Sequence, residues 1–269
     1  MPRLGVVSYL NAVPLVHGLE ADPRFEIVRD VPSRVADALH AGEVDLGVIP
    51  SIEYAAGDYA IVPGVAVASR GPVRSVCLFH RGPLQDVRRV ALDSSSRTSA
   101  ALLRILLRER LGRDPEYVVM PPSLPDMLAA ADAALLIGDR ALYFEGEESR
   151  LDLGQEWTAL TGLPFVWAFW AGRPEAATPS DIAGLQSTLA AALEALPAIA
   201  AAYNGAGIPG RTKGEPRLDR AALNEDYLRR NIVYRLGEAE SAGLGEFYRR
   251  ASGLGLIARV PELRFYGGG

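Results

Sequence analysis

Residues 93–99 read Asp-Ser-Ser-Ser-Arg-Thr-Ser. Capping a helix takes one side-chain oxygen, and this segment offers five hydroxyls with an arginine among them. A guanidinium grips a carboxylate through two parallel N–H groups, and hydroxyls with backbone amides complete an anion cradle. Ser95, Ser96, Arg97, Thr98 and Ser99 are the strongest candidates for holding a carboxylate. Three more polar junctions follow short apolar runs. Ser8-Tyr9-Leu10-Asn11-Ala12-Val13-Pro14 presents Ser8 and Asn11, each able to cap a helix or to face a ligand. Ile49-Pro50-Ser51-Ile52-Glu53 presents Ser51, with the same two readings. Gly138-Asp139-Arg140 presents Asp139 as a helix cap, or as a polar orienter or base in a cleft.

The scarce residues exclude whole chemistries. Lys213 is the single lysine, set in a polar Arg-Thr-Lys-Gly-Glu-Pro stretch, so imine chemistry and a phosphate-loop lysine have no context. Cys77 is the single cysteine, which rules out an intrachain disulfide and a zinc ribbon. His17, His40 and His80 lie more than 20 residues apart, giving no local pair of metal ligands. No metal and no cofactor are expected. The net charge of -5 lacks the positive field that a phosphate backbone demands, so no nucleic-acid partner is expected. The first apolar run is shorter than the roughly 7–15 residues of a secretory signal. No run approaches the ~20 residues that span a bilayer. A cytoplasmic protein without a membrane partner is the expectation. Gly205-Ala206-Gly207-Ile208-Pro209-Gly210 matches a dinucleotide fingerprint in letters. An Ala-rich helical stretch precedes it and proline interrupts it, so it reads as a helix-terminating turn.

The elements that must position these junctions alternate between short apolar runs and amphipathic stretches, the pattern of α/β architecture. Strands are expected at 4–7, 25–28, 44–49, 62–68, 75–80, 87–92, 116–119, 133–137 and 165–170. Helices are expected at 33–40 with Ser33 as N-cap, at 100–110, and through most of the chain after 180, at 185–202, 219–236 and 238–251. Two βα series with a helical return predict a two-lobed α/β fold with mixed, mostly parallel sheets. Residues 1–88 would form the first segment of lobe 1, 89–170 lobe 2, and 171–269 the return to lobe 1. The hinge would then lie near Arg88 and Ala171. Ligands of open α/β sheets bind beyond the carboxyl ends of strands, where helix N-termini favour anions. The aromatics Phe165, Trp167, Phe169 and Trp170 read as core more than as cleft wall, and Tyr227, Tyr234, Phe247 and Tyr248 as packing.

In these segments the sequence resembles the chorismate dehydratases of the futalosine route to menaquinone. The similarity rests on Ser-Tyr-Leu-Asn-Ala at 8–12, Asp-Leu-Gly-Val-Ile-Pro-Ser-Ile-Glu-Tyr at 45–54, and the serine-rich 93–99. It continues through Leu-Leu-Ile-Gly-Asp-Arg-Ala-Leu at 135–142 and the aromatic block at 151–170. The resemblance implies the two-lobed fold of type II periplasmic-binding-protein-like proteins and the loss of water from chorismate, giving 3-[(1-carboxyvinyl)oxy]benzoate. Forming the benzene ring drives that reaction, so the protein's task is to hold a dicarboxylate substrate, orient the leaving hydroxyl and exclude water. In that reading Ser95 to Ser99 hold one carboxylate. Ser8, Tyr9, Asn11, Ser51 and Gly138 face the rest of the substrate. Asp139 is the side-chain candidate for proton acceptor. The alternative acceptor is the substrate's own enolpyruvyl carboxylate, with Asn11 holding the geometry. A sister family, the 1,4-dihydroxy-6-naphthoate synthases, resembles a catalytic-histidine enzyme in the element where this chain has Gly138. A non-catalytic cytoplasmic small-acid-binding protein is the third reading. Monomer and homodimer both stay open.

Overall fold

The computed structural model describes residues 1–203 and 220–268. The chain opens with β1 (Arg3–Val7), a single 3-10 turn at Leu10–Ala12 and the one-turn helix α1 (Val13–Val16), which Pro14 opens. Then follow β2 (Glu26–Asp30), α2 (Pro32–Ala41) and β3 (Leu46–Pro50). Both β2 and β3 pair with β1 in parallel. Every residue of β3 is buried, as a strand covered on both faces requires. The N-cap of α2 is extended Val31 with Pro32 at its first turn, two residues earlier than the expected Ser33. Proline's fixed φ suits a first helical residue and displaces the hydroxyl from the cap. Two short strands come next, β4 (Ala60–Ile61) and β5 (Val67–Ser69).

The second sheet begins at β6 (Val76–His80) and continues through β7 (Arg89–Asp93) and α3 (Thr98–Leu111). After them come β8 (Glu116–Met120), α4 (Leu124–Ala130), β9 (Ala133–Ile137) and the one-turn α5 (Asp139–Leu142). A hairpin-like return supplies β10 (Ser149–Asp152) and α6 (Leu153–Thr161). The chain crosses back in β11 (Phe165–Gly172) and ends in α7 (Pro179–Glu194), α8 (Leu196–Ala202), α9 (Ala221–Arg230) and α10 (Glu238–Gly253). The sheet orders are β2-β1-β3-β11-β4, with β5 also on β11, and β10-β6-β9-β7-β8. Pairing is parallel within each βα series. It is antiparallel where β11, β6 and β10 join.

This topology moves the outward crossing. β6 pairs with β9 and β10, so the chain leaves the first sheet between Ser69 and Val76, not near Arg88. The return precedes Phe165, because β11 lies against β3 from its middle onward. The sheet a short apolar strand joins is decided by partners far away in sequence, so its own residues do not mark the boundary. The outward crossing is held by Asp152, whose carboxylate accepts from the N–H groups of Val73 at 3.0 Å and Arg74 at 2.6 Å. The same carboxylate caps α6 through Gln155 N–H at 3.0 Å. Arg74 has a φ of 61°, a left-handed conformation uncommon outside glycine.

The expected helix over 219–236 stops at Arg230. Val233 instead pairs with Ala68, returning the chain to the first sheet. The expected helix over 185–202 breaks at Ala195, with Pro197 in the first turn of α8, and α7 and α8 meet at 80°. Among the described residues no single helix is long and apolar enough to cross a membrane. Trp157, Phe165 and Phe247 pack edge to face beneath β11, Trp157 to Phe165 at 5.3 Å and Phe165 to Phe247 at 5.0 Å between centroids. The pseudo-fingerprint at 205–210 and Lys213 lie outside the described residues.

Candidate active site

A cleft opens between the two sheets. It lies beyond the carboxyl ends of β1, β3 and β9 and against the N-terminus of α3. Of the residues singled out in the sequence, Tyr9, Asn11, Ser96, Arg97, Thr98, Ser99 and Gly138 line it. Ser8, Ser51, Ser95 and Asp139 stand just behind this wall. The junctions from both lobes thus meet in one place. The remainder of the lining is apolar, with Val7, Pro32, Val48, Val67, Val76, Ile137 and Trp167. Trp167 belongs to the core and to the cavity at once: it is nearly buried, and its indole N–H donates to Ser69 Oγ at 3.0 Å. Alternation along the strand favoured the core role over the cleft wall.

The serine-rich junction owes its shape to Asp93. This buried carboxylate accepts from Ser95 N–H at 2.9 Å and Ser95 Oγ–H at 2.6 Å, and its other oxygen faces Ile137 N–H at 3.4 Å. Burial raises the Asp93 pKa, and the Ser95 bonds partly oppose that rise. Ser95 is therefore turned away from the cavity, with Tyr9 Oη 3.3 Å from its hydroxyl. Thr98 and Ser99 form the first turn of α3, which has no side-chain cap. The first N–H groups of a helix lack intrahelical acceptors and carry a partial positive charge. The hydroxyls of Ser96 and Ser99 have no hydrogen-bond partner among the described residues, so amides and hydroxyls together remain open to an anion. Arg97 differs from expectation. Its guanidinium is engaged by protein carboxylates, Glu53 Oε2 at 2.9 Å and Asp37 Oδ1 at 2.6 Å, so its charge is shared with the protein and not reserved for a ligand.

On the opposite wall Asn11 sits in the 3-10 turn after β1. Its carboxamide has no partner among the described residues, while its backbone carbonyl accepts from Tyr234 Oη–H at 3.0 Å. Tyr9 crosses the cleft onto Gly138, which has φ 64° and ψ -145°. A Cβ at 138 would lie 2.9 Å from the Tyr9 ring. The site therefore has no room for any side chain at this position. Burial pushes the Tyr9 hydroxyl up to about 12, so it stays protonated and can donate.

Asp139, at the first turn of α5, points away from the cavity. Its Oδ1 accepts from Leu10 N–H at 3.1 Å and its Oδ2 faces the Tyr203 hydroxyl. Burial raises its pKa to about 6, against the opposing pull of the Tyr203 hydroxyl, the Leu10 amide and Arg220. Tyr203 has one hydroxyl proton and two acceptors, Asp139 and the Ser8 carbonyl at 3.1 Å. The phenol donates to the Asp139 carboxylate, with the Ser8 carbonyl also within its reach. Ser8 thus contributes its carbonyl to this clamp. Ser51 is fully buried; its hydroxyl donates to the Val166 carbonyl at 2.8 Å, and its carbonyl accepts from Tyr248 Oη–H at 2.6 Å.

The three hydroxyls of Tyr203, Tyr234 and Tyr248 accordingly hold the carbonyls of Ser8, Asn11 and Ser51. Helical spacing marked Tyr234 and Tyr248 as packing residues, and nothing local in the sequence marked Tyr203. Their polar ends find carbonyls nearly 200 or more residues away, a pairing that no local pattern encodes.

Two mixed sheets, antiparallel crossing strands and a cleft lined by helix starts define the two-lobed fold of periplasmic-binding-protein-like proteins. Solved structures agree. The Escherichia coli aliphatic sulphonate binding protein SsuA superposes with a TM-score of 0.63 at 20% identity, covering 100% of this chain and 94% of that one. Protein AF1704 of Archaeoglobus fulgidus gives a TM-score of 0.72 at 20% identity, covering 95% of this chain and 98% of that one. The chain belongs to the menaquinone biosynthesis family, whose model matches residues 2–253. It is 37% identical over 199 residues to a chorismate dehydratase of Thermus thermophilus, covering 66% of this chain and 72% of the relative. It is 29% identical over 162 residues to a chorismate dehydratase of Campylobacter jejuni, covering 60% of this chain and 58% of that protein.

Proposed function

We propose that this protein is a chorismate dehydratase: a cytoplasmic carbon–oxygen lyase that converts chorismate into 3-[(1-carboxyvinyl)oxy]benzoate and water in menaquinone biosynthesis by the futalosine route. The observation that carries the reading is the convergence of Asn11 and the start of α3 on one cavity, in a chain whose relatives carry that name. Chorismate brings two carboxylates. The first-turn amides of α3 with the hydroxyls of Ser96 and Ser99 supply one anion site, by the partial charge and free N–H groups of a helix start. Tyr9 and Asn11 face the ring and its hydroxyl from the other lobe.

The reaction removes one ring proton and the neighbouring hydroxide, which leave together as water as the ring becomes aromatic. Asp139 is poorly placed to take that proton, because both of its oxygens serve Leu10 and Tyr203 behind the wall. The substrate's own enolpyruvyl carboxylate is the acceptor in this reading. Asn11, which cannot act as an ordinary base, holds that carboxylate against the ring carbon through its carboxamide. Closing the cleft excludes water and fixes the reacting atoms at short range.

Incubation of the purified protein with chorismate, followed by absorbance of the aromatic product, tests this. Turnover by the wild type and by Asp139→Asn, within about threefold of each other, is the expected outcome. Loss of two or more orders of magnitude in Asp139→Asn would make that aspartate the base. Tight chorismate binding without product would make the protein a sensor.

A further inference from the structure

Arg97 leaves the second lobe and spends its charge on the first. Nη1 reaches Glu53, in the 3-10 turn Ser51–Ala56 that follows β3, and Nη2 reaches Asp37 on α2. Glu53 has a second anchor besides the arginine: its side chain is only 14% exposed, and its Oε2 also meets His40 Nε2 at 2.8 Å. His40 Nδ1 is in turn held by the Tyr59 hydroxyl at 2.6 Å. The next residue pair repeats the crossing, with Ile52 N–H donating to Thr98 Oγ1 at 3.1 Å. Residues 52 and 53 of one lobe are thus tied to residues 98 and 97 of the other, at the rim of the cavity that Arg97 and Thr98 line.

A guanidinium suits this task because its fork satisfies two carboxylates at once, which an ammonium on a flexible stem does less well. We propose that Arg97, Glu53 and Asp37 form a latch that holds the lobes closed over the substrate, so that Glu53 and Asp37 are positioning residues of the reaction. Its kinetic side rests on the chorismate dehydratase reading; its conformational side does not.

The two roles open to Arg97 predict opposite signs. If the arginine were a ligand for the substrate's carboxylate, removing its protein acceptors would free it and lower KM. A latch predicts the reverse. Glu53→Gln and Asp37→Asn keep size and shape while removing the charges; Asp37 is half-exposed, and because Glu53 is largely buried, the melting temperature of the double variant is read alongside to show that it is folded. In the double variant KM for chorismate rises about tenfold while kcat stays within about twofold. Small-angle scattering without any ligand shows a larger radius of gyration than the wild type. Adding Arg97→Ala to the double variant changes KM by less than about twofold more, since the latch is already gone. A fall in KM, or an unchanged radius of gyration in the double variant, would overturn the latch. Failure of the wild type to turn over chorismate would sink the functional reading alone, leaving the scattering comparison to judge the latch.

Discussion

At Asp139 a buried carboxyl keeps its proton to a higher pH than an exposed one. Its pKa of about 6 stands above its ordinary 3.8 because burial disfavours the charged form. The sign of the consequence follows directly. The folded protein holds this proton more tightly than the unfolded chain, so the stability contribution is complete below about pH 4 and is lost as pH rises through 6. The size, from 1.36 kcal/mol per pKa unit, is up to ~3 kcal/mol. Urea unfolding of the wild type and Asp139→Asn at pH 4 and 7 checks it. The wild type loses up to ~3 kcal/mol relative to the variant between those values, and a constant difference would contradict the raised pKa. At Asn11 the account requires a catalytic effect. Asn11→Ala lowers kcat by about 100-fold, the scale of removing one oriented donor, while thermal stability moves little because the carboxamide holds nothing among the described residues. A loss confined to KM would make Asn11 a binding residue only.

Among the elements, α10 shows most clearly how helix packing reaches the site. Its Gly243 lies against the crossing back to the first lobe, and a Cβ there would sit 2.0 Å from the Pro164 carbonyl. Gly245, one position pair further, meets nothing within 4 Å. Gly243→Ala is expected to destabilise by about 2–3 kcal/mol through overpacking, and Gly245→Ala to be neutral or to stabilise by up to ~1 kcal/mol through helix propensity. Chemical unfolding midpoints distinguish the two, and equal effects would contradict the packing. At this scale much was legible beforehand. Short apolar runs marked nearly all the strands, and the density of hydroxyls at 93–99 marked the start of α3. What was hidden shares one cause. The sheet that β6 joins, the acceptors of Arg97 at positions 37 and 53, and the partners of Asp139 at positions 10 and 203 are all set by contacts remote in sequence. Local periodicity tells which residues face inward, and it does not tell what they meet. The four-residue β10 escaped because it is too short to stand out from a loop, whereas α6, nine residues long and amphipathic, was simply not singled out.

For the whole molecule the account is of two lobes closing on a small dianion. The closed arrangement is knit by Tyr9 to Ser95, Leu10 to Asp139, Ile52 to Thr98 and the Arg97 latch. A ligand bound between the lobes stabilises the folded protein by mass action. Saturating 3-[(1-carboxyvinyl)oxy]benzoate, at about 100 times its Kd, adds ~2.7 kcal/mol, read as a rise in melting temperature. Benzoate, with a single carboxylate, gives a smaller rise at the same concentration, and equal rises would contradict a site built for two charges. The most direct trial is to mix the protein with chorismate alone in buffer and follow the proton NMR spectrum. The account predicts that the ring diene signals disappear and are replaced by those of a meta-disubstituted benzene with its vinyl group intact. Persistence of the diene signals, with the protein folded and chorismate bound, would contradict it.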